Sequence, residues 1–343
     1  MRKVAILGTM CAVLLMLALP VMAADYVGSE TCKKCHADNY NDFRASGHPY
    51  KLQPVENARS WKLPLPKGWD WDDISYVIGG AMKKSRYIDK KGYIVTTAKD
   101  GSPAPTQYNL ETGFWVNYHP GEKKPYTCGS CHTTGFKKEG NQDGLEGLKG
   151  TWALPGVQCE ACHGPASDHV KKPKKAKLAV DTKSSLCGQC HIRGDKDTIP
   201  AKGGFIRHHE QYNEWLASPH KDQTECADCH DPHKTSKAAI KVACADCHDD
   251  AAEKYARNIH AETKIDCVEC HMPRATKSAV KFDPAIGDVR THIWRINDDA
   301  DYSMFTDDGK FAKDAISLKF ACLDCHKSRD QKWAAAKSKA IHD

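Results

Sequence analysis

The chain has 343 residues, of which 40% are hydrophobic and 27% charged, with a formal net charge of +6 and a mean hydropathy of −0.62. So polar a chain is short of apolar core for its length unless something else supplies apolar surface. Its 17 cysteines would read as disulfides in an exported protein, so their spacing decides the class.

In chain order, Arg2 and Lys3 precede the apolar run VAILGTMCAVLLMLALPVM, and VMA ends at Ala23. That pattern predicts a secretory signal over residues 1–23 and an exported chain over 24–343; a retained membrane anchor is the competing reading. LGTMC lacks the small residues of a lipoprotein site before Cys11. No later stretch is long and apolar enough to span a bilayer. The expected location is therefore periplasmic or extracellular, with no transmembrane segment in the mature chain.

CKKCH (Cys32, Cys35, His36) opens the mature chain and is followed by a helix expected over 37–46. Residues 37–127 contain no further cysteine. Within them SYVIGG, SRYIDKKGYIVTTA and QYNLETGFWVNYH, separated by turn residues, predict a small antiparallel β insert near residues 74–118. Trp61, Trp69 and Trp71 precede it and read as packing. CGSCH (Cys128, Cys131, His132) and CEACH (Cys159, Cys162, His163) come next, then the basic, Pro-broken loop HVKKPKKAKLAV over 169–180. That loop is most simply solvated; a docking patch for an acidic partner is the sharper alternative.

CGQCH (Cys187, Cys190, His191) leads to a helix expected over 207–218, and CADCH occurs twice, at Cys226, Cys229, His230 and at Cys244, Cys247, His248. A helix is expected over 249–261. CVECH (Cys267, Cys270, His271) and CLDCH (Cys322, Cys325, His326) complete the series before a last helix over 327–341.

Every cysteine after residue 23 thus lies in a C-x-x-C-H unit, eight units in all, where composition alone predicts about 0.04. Two cysteines on one helical turn can reach the two vinyl groups of a porphyrin, and the next residue, histidine, is carried under the ring to the iron. This is the attachment signature of c-type haem. Zinc knuckles do not require a histidine after every pair, and a redox C-x-x-C occurs singly. The cofactor expected is therefore haem c, eight copies, covalently bound. Haem would replace the missing core, so the chain without it is expected to be largely unfolded. Without Arg2 and Lys3 the net charge is +4, and eight oxidised haems at about −1 each take the holoprotein to about −4, which removes any argument for nucleic acid.

The second iron ligand must come from elsewhere. Ten histidines lie outside the motifs, against three methionines in the mature chain, Met82, Met272 and Met304. Bis-histidine ligation is the expected pattern. YNDFRASGH ending at His48 matches YNEWLASPH ending at His220, and EKYARNIH ending at His260 is a weaker copy. His119, His169, His233 and His292 join the set on weaker local patterns. One of the adjacent His208 and His209 completes it; His209 is entered, the choice between the two being open. His342, beside the chain end, is left out. His233 lies three residues after His230, a reach of roughly 10 Å at most, with Pro232 stiffening the path. It cannot round the ring to the far face of its own haem and is expected to bind a neighbour's iron. The same reasoning makes His169 a cross-ligand.

VGSETCKKCHADNYNDFRASGH, VQCEACHGPASDH, CADCHDPH and DVRTHIWRIN resemble segments of the multihaem cytochrome c family that includes cytochrome c-554-like carriers, octahaem hydroxylamine oxidoreductase and octahaem tetrathionate reductase. The resemblance implies a fold that is mainly α, with extensive irregular loops wound around a haem chain. The β insert lies within it, residues 226–343 form a C-terminal haem cluster, and haems stack in alternating parallel and perpendicular pairs. It also implies distal ligation by His48, His169, His233 and His292. Catalytic members often mark one haem with a lysine ligand, whereas all eight motifs here end in histidine.

The favoured expectation is an electron carrier passing electrons between redox partner proteins, a respiratory donor and a terminal acceptor, with no catalytic residue assigned. The alternatives are an oxidoreductase for a small nitrogen or sulfur compound at one open or lysine-ligated haem, and a homopolymeric extracellular filament using surplus histidines.

Overall fold

The computed structural model describes residues 24–236, 238–278 and 287–342; the expected signal, residues 1–23, lies outside them. The segment without CxxCH units builds the largest sheet. Strands β1 (Gln53–Pro54), β2 (Ile74–Gly79), β3 (Lys84–Asp89), β4 (Tyr93–Ile94), β5 (Gln107–Asn109), β6 (Phe114–Val116) and β7 (Lys124–Pro125) form it. Its spine runs β1-β2-β3-β4-β7, with β5 added to β3 and β6 to β5. The pairings are antiparallel, as the short turns between the runs require.

Both faces of this sheet are buried. Tyr76, Ile78, Ile88 and Ile94 pack with Leu52, Tyr126, Leu148 and Trp152 on one side. Val77, Tyr87 and Val95 pack with Val55, Leu63 and Ile74 on the other. Strict alternation would put Ile74 beside Tyr76 and Ile78; the register shift between Ile74 and Tyr76 turns it to the opposite face. Gly92 and Gly147 meet where a strand turn touches the following loop, and a Cβ on Gly147 would lie 2.3 Å from the Gly92 carbonyl carbon.

A second, four-stranded sheet runs Thr276–Lys277, Phe205–Arg207, Ile199–Lys202, Phe311–Ala312. Its core contains Ile199, Phe205, Ile206, Ile293, Met304, Ile316 and Phe320. Between its strands Phe205–Arg207 and Thr276–Lys277 runs a segment with hardly any interior: over residues 221–270 Ala239 is the one buried residue among those described.

The expected mainly α architecture is met only in part. The described residues hold thirteen α-helices and fifteen strands, all short; the longest helix is the nine-residue Ala37–Ala45. The helix expected over 207–218 shrinks to Gln211–Leu216, because Phe205–Arg207 is taken by the second sheet and His209 adopts φ 74°. The one over 249–261 breaks after Tyr255, where extended Asn258 caps a new turn, Ile259–Glu262, by accepting from the His260 amide. The last helix is Gln331–Ser338, capped by Asp330.

Candidate functional site

The CxxCH units are tight helical turns. The histidine amide donates to the carbonyl of the first cysteine in the units of His36, His163, His191, His230, His248 and His326, at 2.9 to 3.1 Å. This i to i+4 bond puts two thiols and the imidazole around one turn. None of the sixteen cysteines of the described residues is paired in a disulfide.

Seven motif histidines have a second histidine ring opposite. The pairs are His36–His169 (6.3 Å between ring centres), His191–His48 (6.4 Å), His163–His233 (6.3 Å) and His248–His220 (5.9 Å). The others are His230–His292 (6.2 Å), His326–His260 (5.9 Å) and His271–His342 (6.0 Å). Two imidazoles on opposite sides of one metal, each through a bond of about 2 Å, hold their centres roughly 6 Å apart. No cluster of three or more His, Cys, Asp or Glu suited to a bare ion occurs among the described residues. The donor set, two imidazoles with a thiol pair on one side, therefore fits a haem iron with its two axial positions filled.

The second ring nitrogen of many of these histidines is engaged. Nδ1 lies 2.8 to 3.3 Å from an acceptor in His163 (Ala179 O), His169 (Ala176 O), His191 (Gln211 Oε1), His233 (Asp231 Oδ1), His260 (Asn258 Oδ1) and His271 (Trp294 O). An Nδ1–H so held leaves Nε2 as the lone-pair nitrogen, the tautomer a metal needs. Burial, with neighbouring imidazoles and Lys51, pushes His48 down to about 4, which keeps it neutral.

Four of the opposing histidines share a local device. The residue two before each accepts the histidine amide: Ser46 for His48, Ser218 for His220, Asp231 for His233 and Asn258 for His260, at 3.0 to 3.3 Å. This Ser/Asp/Asn-x-His signal was present in the sequence and went unread.

His342 had no such signal; its partner is 71 residues earlier, and the capped helix Gln331–Ser338 leads up to it. His119 has other surroundings than those expected. It sits in the turn after β6 at φ 47°, with Nδ1 2.9 Å from Glu122 Oε2 and its ring against Tyr118. His208 and His209 pack on each other at 4.4 Å, and neither ring faces a motif histidine among the described contacts.

The motif histidine with no opposing histidine is His132. Its ring tilts against buried Tyr126 at 6.2 Å, and its Nδ1 is buried without a partner. Burial and then Lys51, Arg86 and Lys84 push it down to about 3. Burial and then Arg86 push Lys84 itself down to about 7. The same cations lower His208 and, after His208 itself, His209, beyond the effect of burial. Arg86 lies 3.8 Å over the Tyr118 ring and donates to Gln107; Arg193 donates to the His208 carbonyl. His132 thus feels Lys51, Arg86 and Lys84 and has no imidazole opposite it among the described contacts.

The units also touch one another. Ser29 Oγ, in the turn of the first unit, accepts from the Cys159 amide at 3.1 Å, and buried Glu160 accepts from the amides of Val27, Gly28 and Ala166. Cys131 lies 3.9 Å from the Gln189 carbonyl, and Cys190 3.8 Å from that of Ser130. Cys187 and Cys226 are hydrogen-bonding neighbours, as are Cys244 and Cys267.

Residues 105–164 match the family described as cytochrome c554 and c-prime. A stretch of 131 residues is 30% identical to the multiheme cytochrome MtrA of Shewanella baltica (strain OS185), 34% of this chain against 33% of that one. The fold resembles that of the outer cell wall cytochrome OcwA (TM-score 0.60, 20% identity, 91% of this chain and 86% of that one). It also resembles octaheme sulfite reductase MccA of Wolinella succinogenes (TM-score 0.65, 18% identity, 88% and 65%). Over these segments the chain is similar to multihaem cytochromes. It spans about one third of the length of the curated relative it matches. No helix among its described residues is long and apolar enough to cross a membrane.

Proposed function

We propose that this cytochrome is an exported octahaem electron carrier in which seven irons are bis-histidine ligated and one, above His132, is not. The seven histidine pairs at 5.9 to 6.4 Å carry this reading. Each haem supplies one electron of storage, between the ferric and ferrous states. The chain's part is to fix the imidazoles through their Nδ1 acceptors, so that little rearrangement accompanies each transfer, and to hold the units in contact. Haem content tests the count: the mass of the intact holoprotein and its pyridine haemochrome should both give eight haems per chain. Seven or fewer would overturn the octahaem reading.

The surroundings of His132 favour a second role in the same molecule. Lys51, Lys84 and Arg86 act on the one motif histidine that lacks an imidazole opposite among the described contacts, and Lys84 acts on His208 and His209 as well. They would draw in and orient a small oxoanion and supply protons to it, with Lys84 as the titrating donor. Sulfite is the compound named for the resembling MccA, and a small nitrogen or sulfur oxoanion is the substrate class proposed here. The redox partner proteins are a donor and an acceptor outside this chain.

A further inference from the structure

The loop over residues 171–179 is held to two of the histidine pairs by its own backbone. Ala176 O accepts from His169 Nδ1 at 2.8 Å, and Ala179 O takes His163 Nδ1 at 3.1 Å. His169 faces His36 and His163 faces His233, and the units of His36 and His163 are joined through Ser29 and Glu160. A strap nine residues long is therefore tied to two adjacent histidine pairs. Pro173 stops the helix Ser167–Lys171 from continuing, and the turn closes with Lys175 and Ala176 amides on the Lys172 carbonyl.

The strap's side chains are Lys171, Lys172, Lys174, Lys175 and Lys177, all exposed. None of the five forms an ion pair among the described residues. Asp168 and Asp181 are the nearest acids in the chain. Two apolar side chains flank the lysines in the open, Val170 at 44% and Val180 at 75% exposure. A positive rim beside exposed apolar residues is the make-up of a transient protein contact.

We propose that this strap is the docking surface for an acidic one-electron carrier protein, which exchanges electrons with the haems at His36/His169 and His163/His233. The proposal rests on reading those two histidine pairs as haem ligands. In the transfer, one ferric iron becomes ferrous while the carrier's centre loses one electron; no bond is made and no group moves. Lysines that carry steering rather than structure should act on association, over a range set by a Debye length of about 8 Å at physiological ionic strength.

The test uses the full holoprotein and two protein donors of opposite charge. One is flavodoxin, acidic, whose anionic flavin hydroquinone gives one electron and becomes the neutral semiquinone. The other is a basic reduced single-haem cytochrome c. Stopped-flow reduction is followed against salt for the native protein and for a variant with the five strap lysines changed to Gln. A charge-matched control changes Lys62, Lys67, Lys90, Lys91 and Lys138 to Gln. Flavodoxin should reduce the native protein and the control at rates that fall as salt rises. The strap variant should be slower by about tenfold at low salt and nearly salt-independent. The basic donor should lose nothing. An unchanged flavodoxin rate in the strap variant overturns the proposal. So does a rate loss that follows a drop in haem potential while the salt dependence persists, because the lysines would then be neutralising propionates. The parent reading fails separately, if His169→Ala leaves every haem six-coordinate.

Discussion

At the scale of single residues, a histidine's role was decided by what lies opposite its ring and what holds its other nitrogen. His342 and His119 show the contrast. The first lies 6.0 Å from His271; the second is tied to Glu122 on the surface. His342→Ala should therefore convert one low-spin haem to a high-spin, carbon-monoxide-binding one, read by electron paramagnetic resonance and the Soret band. His119→Ala should leave both spectra unchanged; the reverse result would exchange their roles. Local spacing could expose His48 and His220, because their ligand helices repeat a sequence. It could not expose His342, whose partner is brought to it by the fold. Lys84 gives a pH dependence. Held at about 7 by burial and by Arg86, it is cationic below that value and neutral above it. Binding of nitrite or sulfite to the ferric protein, read as a Soret shift, should weaken as pH rises through about 7. Lys84→Gln should remove that step, and affinity independent of pH from 6 to 8 in the native protein would contradict its place beside the anion.

At the scale of elements, the units are assembled by a few buried polar groups more than by packing. Glu160, 3% exposed, accepts three amides from two segments and fixes the first CxxCH turn against the third. Glu160→Ala strands those buried donors and should cost about 2–3 kcal/mol, seen as a lower unfolding midpoint in denaturant; an unchanged midpoint would show the turns to be held by other means. The β insert over 74–118 was legible because turn residues separate runs of β-branched and aromatic side chains. Its sheet also recruits β1 and β7, which are two residues long and carry no periodicity to read. The helix lengths were misjudged because the pattern ignores the caps: Asn258 ends one helix and starts the next, and His209 lies in a left-handed conformation that no helix tolerates.

At the scale of the whole molecule, two β cores hold a nearly coreless middle. Residues 221–271 carry three CxxCH units and, among those described, a single buried residue, Ala239. About fifty residues without an interior cannot offset the entropy of ordering them, so the porphyrins are the interior there. The spacing of the cysteines announced that; the count of paired irons needed the tertiary structure. In the proposed holoprotein seven irons have two imidazoles and the one above His132 has a single imidazole. Spin-counted electron paramagnetic resonance of the ferric holoprotein, followed by carbon monoxide addition after reduction, tests this central proposal most directly. The account predicts seven low-spin haems, one high-spin or anion-exchangeable haem, and carbon monoxide binding to one haem per chain. In His132→Ala that carbon-monoxide signature should be lost or altered. Eight low-spin haems with no carbon monoxide binding, or two or more haems that bind it, would contradict the account.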